Sequence, residues 1–77
     1  MIDHLSDVPI YLQLASVLRE QIRSGELEPR RPIPSIRTLT QRYEVSDGSV
    51  KRAVNLLRAE GLVTFVPGKG TYVLPQD

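Results

Sequence analysis

The apolar positions of this chain fall into three helical stripes, followed by a stretch of strand character. Tyr11, Leu14, Ala15, Leu18 and Ile22 recur at i, i+3, i+4, i+7 and i+11, the spacing of one helix face. Pro9 suits a first turn through its fixed φ and missing N–H, and Gly25 suits a stop, which predicts a helix over 9–24. Ile10 and Val17, one heptad apart, form a flanking stripe that either widens the core face or serves a dimer contact. Residues 25–34 hold Pro29, Pro32 and Pro34 and cannot be helical. Leu27 and Ile33 are expected to tuck into the core there, with Ile33 making a strand of one or two residues. Ser35 is a good N-cap for a second helix over 36–43, with Ile36, Leu39 and Tyr43 as its apolar face. Ser46 caps a third helix over 47–60, whose apolar face is Val50, Ala53, Val54 and Leu57, and Gly61 ends it. After Gly61 the period changes. The β-branched and aromatic runs 62–66 and 71–74 flank Pro67-Gly68-Lys69-Gly70, which predicts a β-hairpin.

Only a few residues separate the second and third helices, which is helix-turn-helix spacing, and the terminal hairpin makes the arrangement winged. The expected fold is α+β: a small winged helix-turn-helix of three helices and a two-stranded β-hairpin wing, with a short third strand near Ile33. Residues 1–8 read as a flexible lead-in, 9–74 as one domain and 75–77 as a tail. The pattern alone also admits a three-helix domain with a structural hairpin and no nucleic-acid role.

Composition narrows the function. A chain of 77 residues has room for one small core and little for a deep catalytic pocket. It holds no cysteine, so a disulfide scaffold or thiolate metal site is ruled out. His4 stands alone, with no partners for a metal, and reads as a solvated side chain. No nucleophile–base set is visible, so neither enzyme, cofactor nor metal is expected. No apolar run approaches the roughly 18 residues of a membrane span. The net charge of +1 by itself argues against a polyanionic partner. Its distribution argues the other way. The first 28 residues carry two arginines against five carboxylates, whereas residues 29–70 carry eight cations against three carboxylates. Segregated charge of this kind fits either an anionic partner or a solvated surface.

The ordered motifs resemble the DNA-binding domain of GntR-type bacterial transcription regulators. They are Pro9-Ile10-Tyr11-Leu12-Gln13-Leu14, the run 18–27, Ile33-Pro34-Ser35-Ile36-Arg37-Thr38-Leu39, Val45-Ser46, Val50-Lys51-Arg52-Ala53-Val54, the run 57–63 and Pro67-Gly68-Lys69-Gly70-Thr71-Tyr72-Val73. The similarity covers residues 9–74. It implies a cytoplasmic regulator, nucleoid-associated when bound, in which the third helix enters the major groove of double-stranded DNA. The wing would reach the minor groove or the backbone. Binding to inverted-repeat operators as a homodimer, usually in repression, is implied as well. Full-length relatives generally carry an effector-binding domain after the wing. None is expected in this chain, so its effector is unknown.

Carried over residue by residue, the resemblance and the helix chemistry suggest a DNA-facing set. It comprises Ser35, Arg37, Ser46, Gly48, Ser49, Lys51, Arg52, Gly68, Lys69 and Gly70. Arg37 can meet phosphate bidentately beside a helix N-terminus, or merely be solvated. Ser46 and Ser49 sit at N-cap and N3, where hydroxyls either cap alone or also hold phosphate. Lys51 can donate to guanine O6 and N7 but lacks the arginine fork. Arg52 is equally readable as a backbone contact or a solvated arginine. Gly68, Lys69 and Gly70 allow close approach at the wing tip, or simply make a turn. Asp47 departs from the family, where many members carry a base-reading arginine. It can accept from cytosine N4, or serve only as a first-turn carboxylate that complements the helix dipole. Gly48 beside it lowers helix propensity and would permit close approach. Leu56 faces away from the core stripe and suggests an exposed contact patch. With Asp47 it motivates the alternative of a winged-helix protein-interaction module without specific DNA binding.

Overall fold

The computed structural model describes residues 2–76, so Met1 and Asp77, the outer ends of the predicted lead-in and tail, lie outside the described residues. Three helices, α1 (Ile10–Ser24), α2 (Ile36–Tyr43) and α3 (Asp47–Ala59), precede two strands, β1 (Val63–Val66) and β2 (Gly70–Val73). Pro9 lies one position outside α1 rather than in its first turn. Its ψ of 142° is extended, and its carbonyl accepts from Leu12 N at 3.1 Å and Gln13 N at 3.2 Å, as an N-cap carbonyl does. The hydroxyls of Ser35 and Ser46 cap α2 and α3 by accepting from Thr38 N and Ser49 N, each at 3.1 Å.

The C-terminus of α3 explains how the helix hands over to the wing. Leu62 N donates to Leu57 O and Gly61 N to Arg58 O, both at 3.0 Å, the paired bonds of a Schellman motif. The motif needs a left-handed residue between them, and Gly61 supplies it at φ 79° without the Cβ penalty. The reversal drops Leu62 and Val63 into the core, where both are buried.

Leu14, Ala15, Leu18 and Ile22 of α1 meet Val50, Ala53 and Leu57 of α3, the most extensive packing between helices. Leu39 of α2, Ile33, Val63 and Val73 close the remaining sides. Ile10, Val17 and Val54 are half-buried against this cluster, so the flanking stripe of α1 widens the core face. Two apolar expectations change. Leu56 is half-buried against the core and forms no exposed patch. Ile36 is 38% exposed, because it begins α2 at the rim of the core, whereas Leu39 one turn on is buried.

β1 and β2 pair antiparallel, Val63 with Val73 through Val66 with Gly70, around the three-residue turn 67–69. Gly68 at φ 78° makes that turn possible. The short third strand pairs one residue earlier than Ile33, as a single bridge from Pro32 to Tyr72. Arg30 N donates to Val73 O at 2.8 Å, Val73 N to Arg31 O at 3.0 Å and Ile33 N to Thr71 O at 2.9 Å. Pro32 and Pro34 have no N–H to give, which limits the pairing to this one step.

Residues 2–8 are tied down more firmly than a loose lead-in. Ile2 is buried in the core. Asp3 N donates to Gln13 Oε1 at 2.7 Å, and Gln13 Nε2 donates to the carbonyls of Asp3 at 3.0 Å and Val8 at 2.8 Å. His4, expected to be only solvated, donates from Nε2 to the Glu44 carbonyl at 2.9 Å, since a carbonyl can only accept. The lead-in thus touches the turn that separates α2 from α3.

Candidate nucleic-acid interface

The N-terminus of α2, one flank of α3 and the wing enclose an open groove of about 640 Å³. Its cations come from three elements: Arg37 from α2, Lys51 and Arg58 from α3, and Lys69 from the wing. No carboxylate among the described residues lines it. Among the described residues, none of these four cations has a carboxylate oxygen within 4.0 Å. Like charges held together without counter-ions in this way attract a polyanion. The apolar floor includes Ile36, Val54 and Phe65, and Phe65 is 55% exposed.

Of the residues suggested by sequence, the groove brings together Ser35, Arg37, Lys51, Lys69 and Gly70. Gly68 stays exposed at the wing tip, outside the groove lining. Ser46, Gly48 and Ser49 occupy the N-terminal tip of α3, with Ser46 Oγ donating to Ser49 Oγ at 3.0 Å. A Cβ built at Gly48 would approach only Ser46 Oγ, at 3.9 Å, so internal packing does not require glycine there. Asp47 is exposed in the first turn of α3, where its charge favours the helix dipole. Arg52 points to the other flank. Its guanidinium carbon stands 4.0 Å from the Tyr11 ring centroid, a cation–π contact with α1.

Asn55, Arg58 and Phe65 line the groove although the motif reading did not single them out. A signal for two of them exists. Lys51, Asn55 and Arg58 recur at i, i+4 and i+7, a polar stripe beside the apolar face of α3. Phe65 carries no comparable signal. It shares its strand face with Val63, but the hairpin runs past the edge of the core, so Val63 is buried and Phe65 emerges beside the groove.

One carboxylate of the basic segment is already paired. Arg19 of α1 grips Glu60 with Nε to Oε1 at 2.8 Å and Nη2 to Oε2 at 2.7 Å. The hydrogen bonds from the guanidinium, with its charge in support, hold the Glu60 carboxyl below the usual carboxylate range and raise Arg19 in turn. This fork clamps the C-terminus of α3 to α1, away from the groove.

A family model described as "Bacterial regulatory proteins, gntR family" matches residues 10–73. The chain belongs to the GntR family. NagR of Bacillus subtilis, an HTH-type transcriptional repressor, is 39% identical over 72 residues, covering 94% of this chain and 30% of NagR. Among solved structures, YtrA from Sulfolobus acidocaldarius, a GntR-family transcription factor, superposes with a TM-score of 0.88 at 36% identity, covering 100% of this chain and 81% of that one. The AraR DNA-binding domain in complex with operator ORR3 superposes with a TM-score of 0.83 at 29% identity, covering 95% of this chain and 88% of that one. The three-helix and two-strand order is that of a GntR winged helix-turn-helix. The chain spans less than a third of the length of NagR. These relatives are regulators of transcription. Among the described residues no group of three or more His, Cys, Asp or Glu side chains could hold a metal ion. No described helix is long and apolar enough to cross a membrane.

Proposed function

We propose that this chain is a sequence-specific double-stranded DNA-binding module of a cytoplasmic transcription regulator, acting in repression. The observation that carries the reading is the groove in which Arg37, Lys51, Arg58 and Lys69 converge from three elements with no carboxylate among them. The repressor NagR and the operator-bound AraR domain support it. The N-terminal tip of α3, with Ser46, Gly48, Ser49 and Lys51, enters the major groove. Gly68, Lys69 and Gly70 meet the minor groove or the backbone, and Ser35 and Arg37 hold phosphate at the start of α2. Arg52 takes a backbone phosphate from the Tyr11 flank. Two copies occupy an inverted repeat, since linked half-sites multiply a modest single-site affinity. The alternative of a protein-interaction module loses one support, because Leu56 packs inward.

Fluorescence anisotropy with duplexes selected from a random pool tests this reading. Four groove cations and Arg52 on phosphate give a slope of about −4.5 per bound copy in log K against log salt, at about −0.9 per contact. Absence of duplex binding at low salt would sink the proposal.

A further inference from the structure

The floor of the groove is unusual for a phosphate site. Phosphate oxygens gain from Arg37, Lys51, Arg58 and Lys69, but they gain nothing from an exposed phenyl ring. Phe65 is 55% exposed and Ile36 is 38% exposed, two of the larger uncovered apolar side chains of the domain, and both line this one cavity with Val54. Burial of such surface is favourable only against another apolar surface. A sugar–phosphate strand supplies both chemistries in alternation: charged phosphates at its edge and the C–H face of deoxyribose between them. The groove lining offers both chemistries, cations in Arg37, Lys51, Arg58 and Lys69 and apolar surface in Ile36, Val54 and Phe65.

We infer that the groove seats one deoxyribose–phosphate strand, with Phe65 and Ile36 packed on the sugar face and Arg58 on an adjacent phosphate, so that Phe65 discriminates deoxyribose from ribose. The inference rests on the DNA-binding reading and extends it to sugar recognition by residues outside the helix tip and wing tip. The discrimination follows from solvation. A 2′-hydroxyl pressed against a phenyl ring loses its water and finds no partner there, which costs more than burying a C–H.

The test is a ribonucleotide scan. Single ribonucleotides replace deoxyribonucleotides one at a time along each strand of a duplex selected for binding, and anisotropy reads the affinity. The wild-type chain is expected to lose about fivefold at one or two adjacent positions, the low end for an unsatisfied buried hydroxyl. Phe65→Ser should weaken the all-DNA duplex while leaving its salt slope unchanged, and should abolish the position-specific penalty. The change in sugar pucker persists in Phe65→Ser, so a penalty due to pucker would survive that substitution. Arg58→Ala should instead lower the salt slope by about one contact. Circular dichroism melts of both variants check that the exposed substitutions leave the fold intact. A flat scan, or an undiminished penalty in Phe65→Ser, overturns the inference and leaves the DNA-binding reading standing. No duplex binding by the wild type overturns both.

Discussion

Glu44 sits in the turn between α2 and α3 with φ 55° and ψ 51°, a left-handed conformation that costs a residue with a Cβ about 1–2 kcal/mol. Its retained contacts are made by backbone atoms: its carbonyl accepts from His4, and Val45 N donates to Thr40 O at 3.2 Å across the turn. Replacing Glu44 with Gly removes the steric penalty and keeps both. Part of the gain is lost because glycine has more freedom to lose on folding, about 0.4–1 kcal/mol. The net expectation is stabilisation of about 0.5–1 kcal/mol. For 77 residues at about 2.1 cal/mol/K each, the unfolding entropy is about 0.16 kcal/mol/K, so the melting temperature should rise by about 3–6 °C. Thermal melts of Glu44→Gly and Glu44→Ala side by side separate backbone from charge. Both remove the exposed carboxylate, but alanine keeps the left-handed penalty. Should Glu44→Gly melt at or below Glu44→Ala, the left-handed turn is not a source of strain and the reasoning fails.

Other perturbations address the core, the ion pair and the reading tip. Leu57 is fully buried between α1 and α3, so Leu57→Ala should cost about 2–5 kcal/mol, a large share of what a domain this small holds, and urea titration measures it. Glu60→Gln removes a fork that is partly exposed, with side-chain exposures of 24% and 34%, and should cost under about 1 kcal/mol at neutral pH. The Glu60 carboxyl lies lower in the folded state than in the unfolded one, so its stabilisation is present above the ordinary carboxylate range and disappears as acid protonates the folded form. The melting temperatures of Glu60→Gln and wild type should therefore converge as the pH falls below the carboxylate range; a gap that persists once the folded form is protonated contradicts the assignment. Asp47→Arg places a cation at the exposed tip of α3 and should strengthen binding to random duplex at low salt, with a salt slope steeper by up to about one contact. Unchanged random-duplex affinity would place Asp47 away from the phosphates.

Much of the fold was legible because local chemistry and tertiary demand agree. The stripe Leu14-Ala15-Leu18-Ile22 predicted which face of α1 is buried, and Ser35 and Ser46 predicted where α2 and α3 begin. Disagreement arises where burial depends on an element's position in the whole molecule. Ile36 and Leu56 follow or break helical periodicity on paper, yet the first lies at the rim and the second reaches the core. Lead-in residues such as Asp3 and His4 have no periodicity at all, and their anchors lie at Gln13 and Glu44, distant in sequence.

The candidate site divides along the same line. Sequence by itself determined the residue types: the segregation of cations into residues 29–70, the capping serines and the glycine-flanked Lys69. These are properties of single positions and near neighbours, which local spacing encodes. Only the tertiary structure decided that Arg37, Lys51, Arg58 and Lys69 share one groove while Arg52 turns to Tyr11. It also decided that Glu60, counted with the basic segment, is held by Arg19, which lies in the acidic first 28 residues. The reason is geometric: electrostatic potential and desolvation depend on distances in space, and the packing of α3 between α1 and α2 sets which charges stand together.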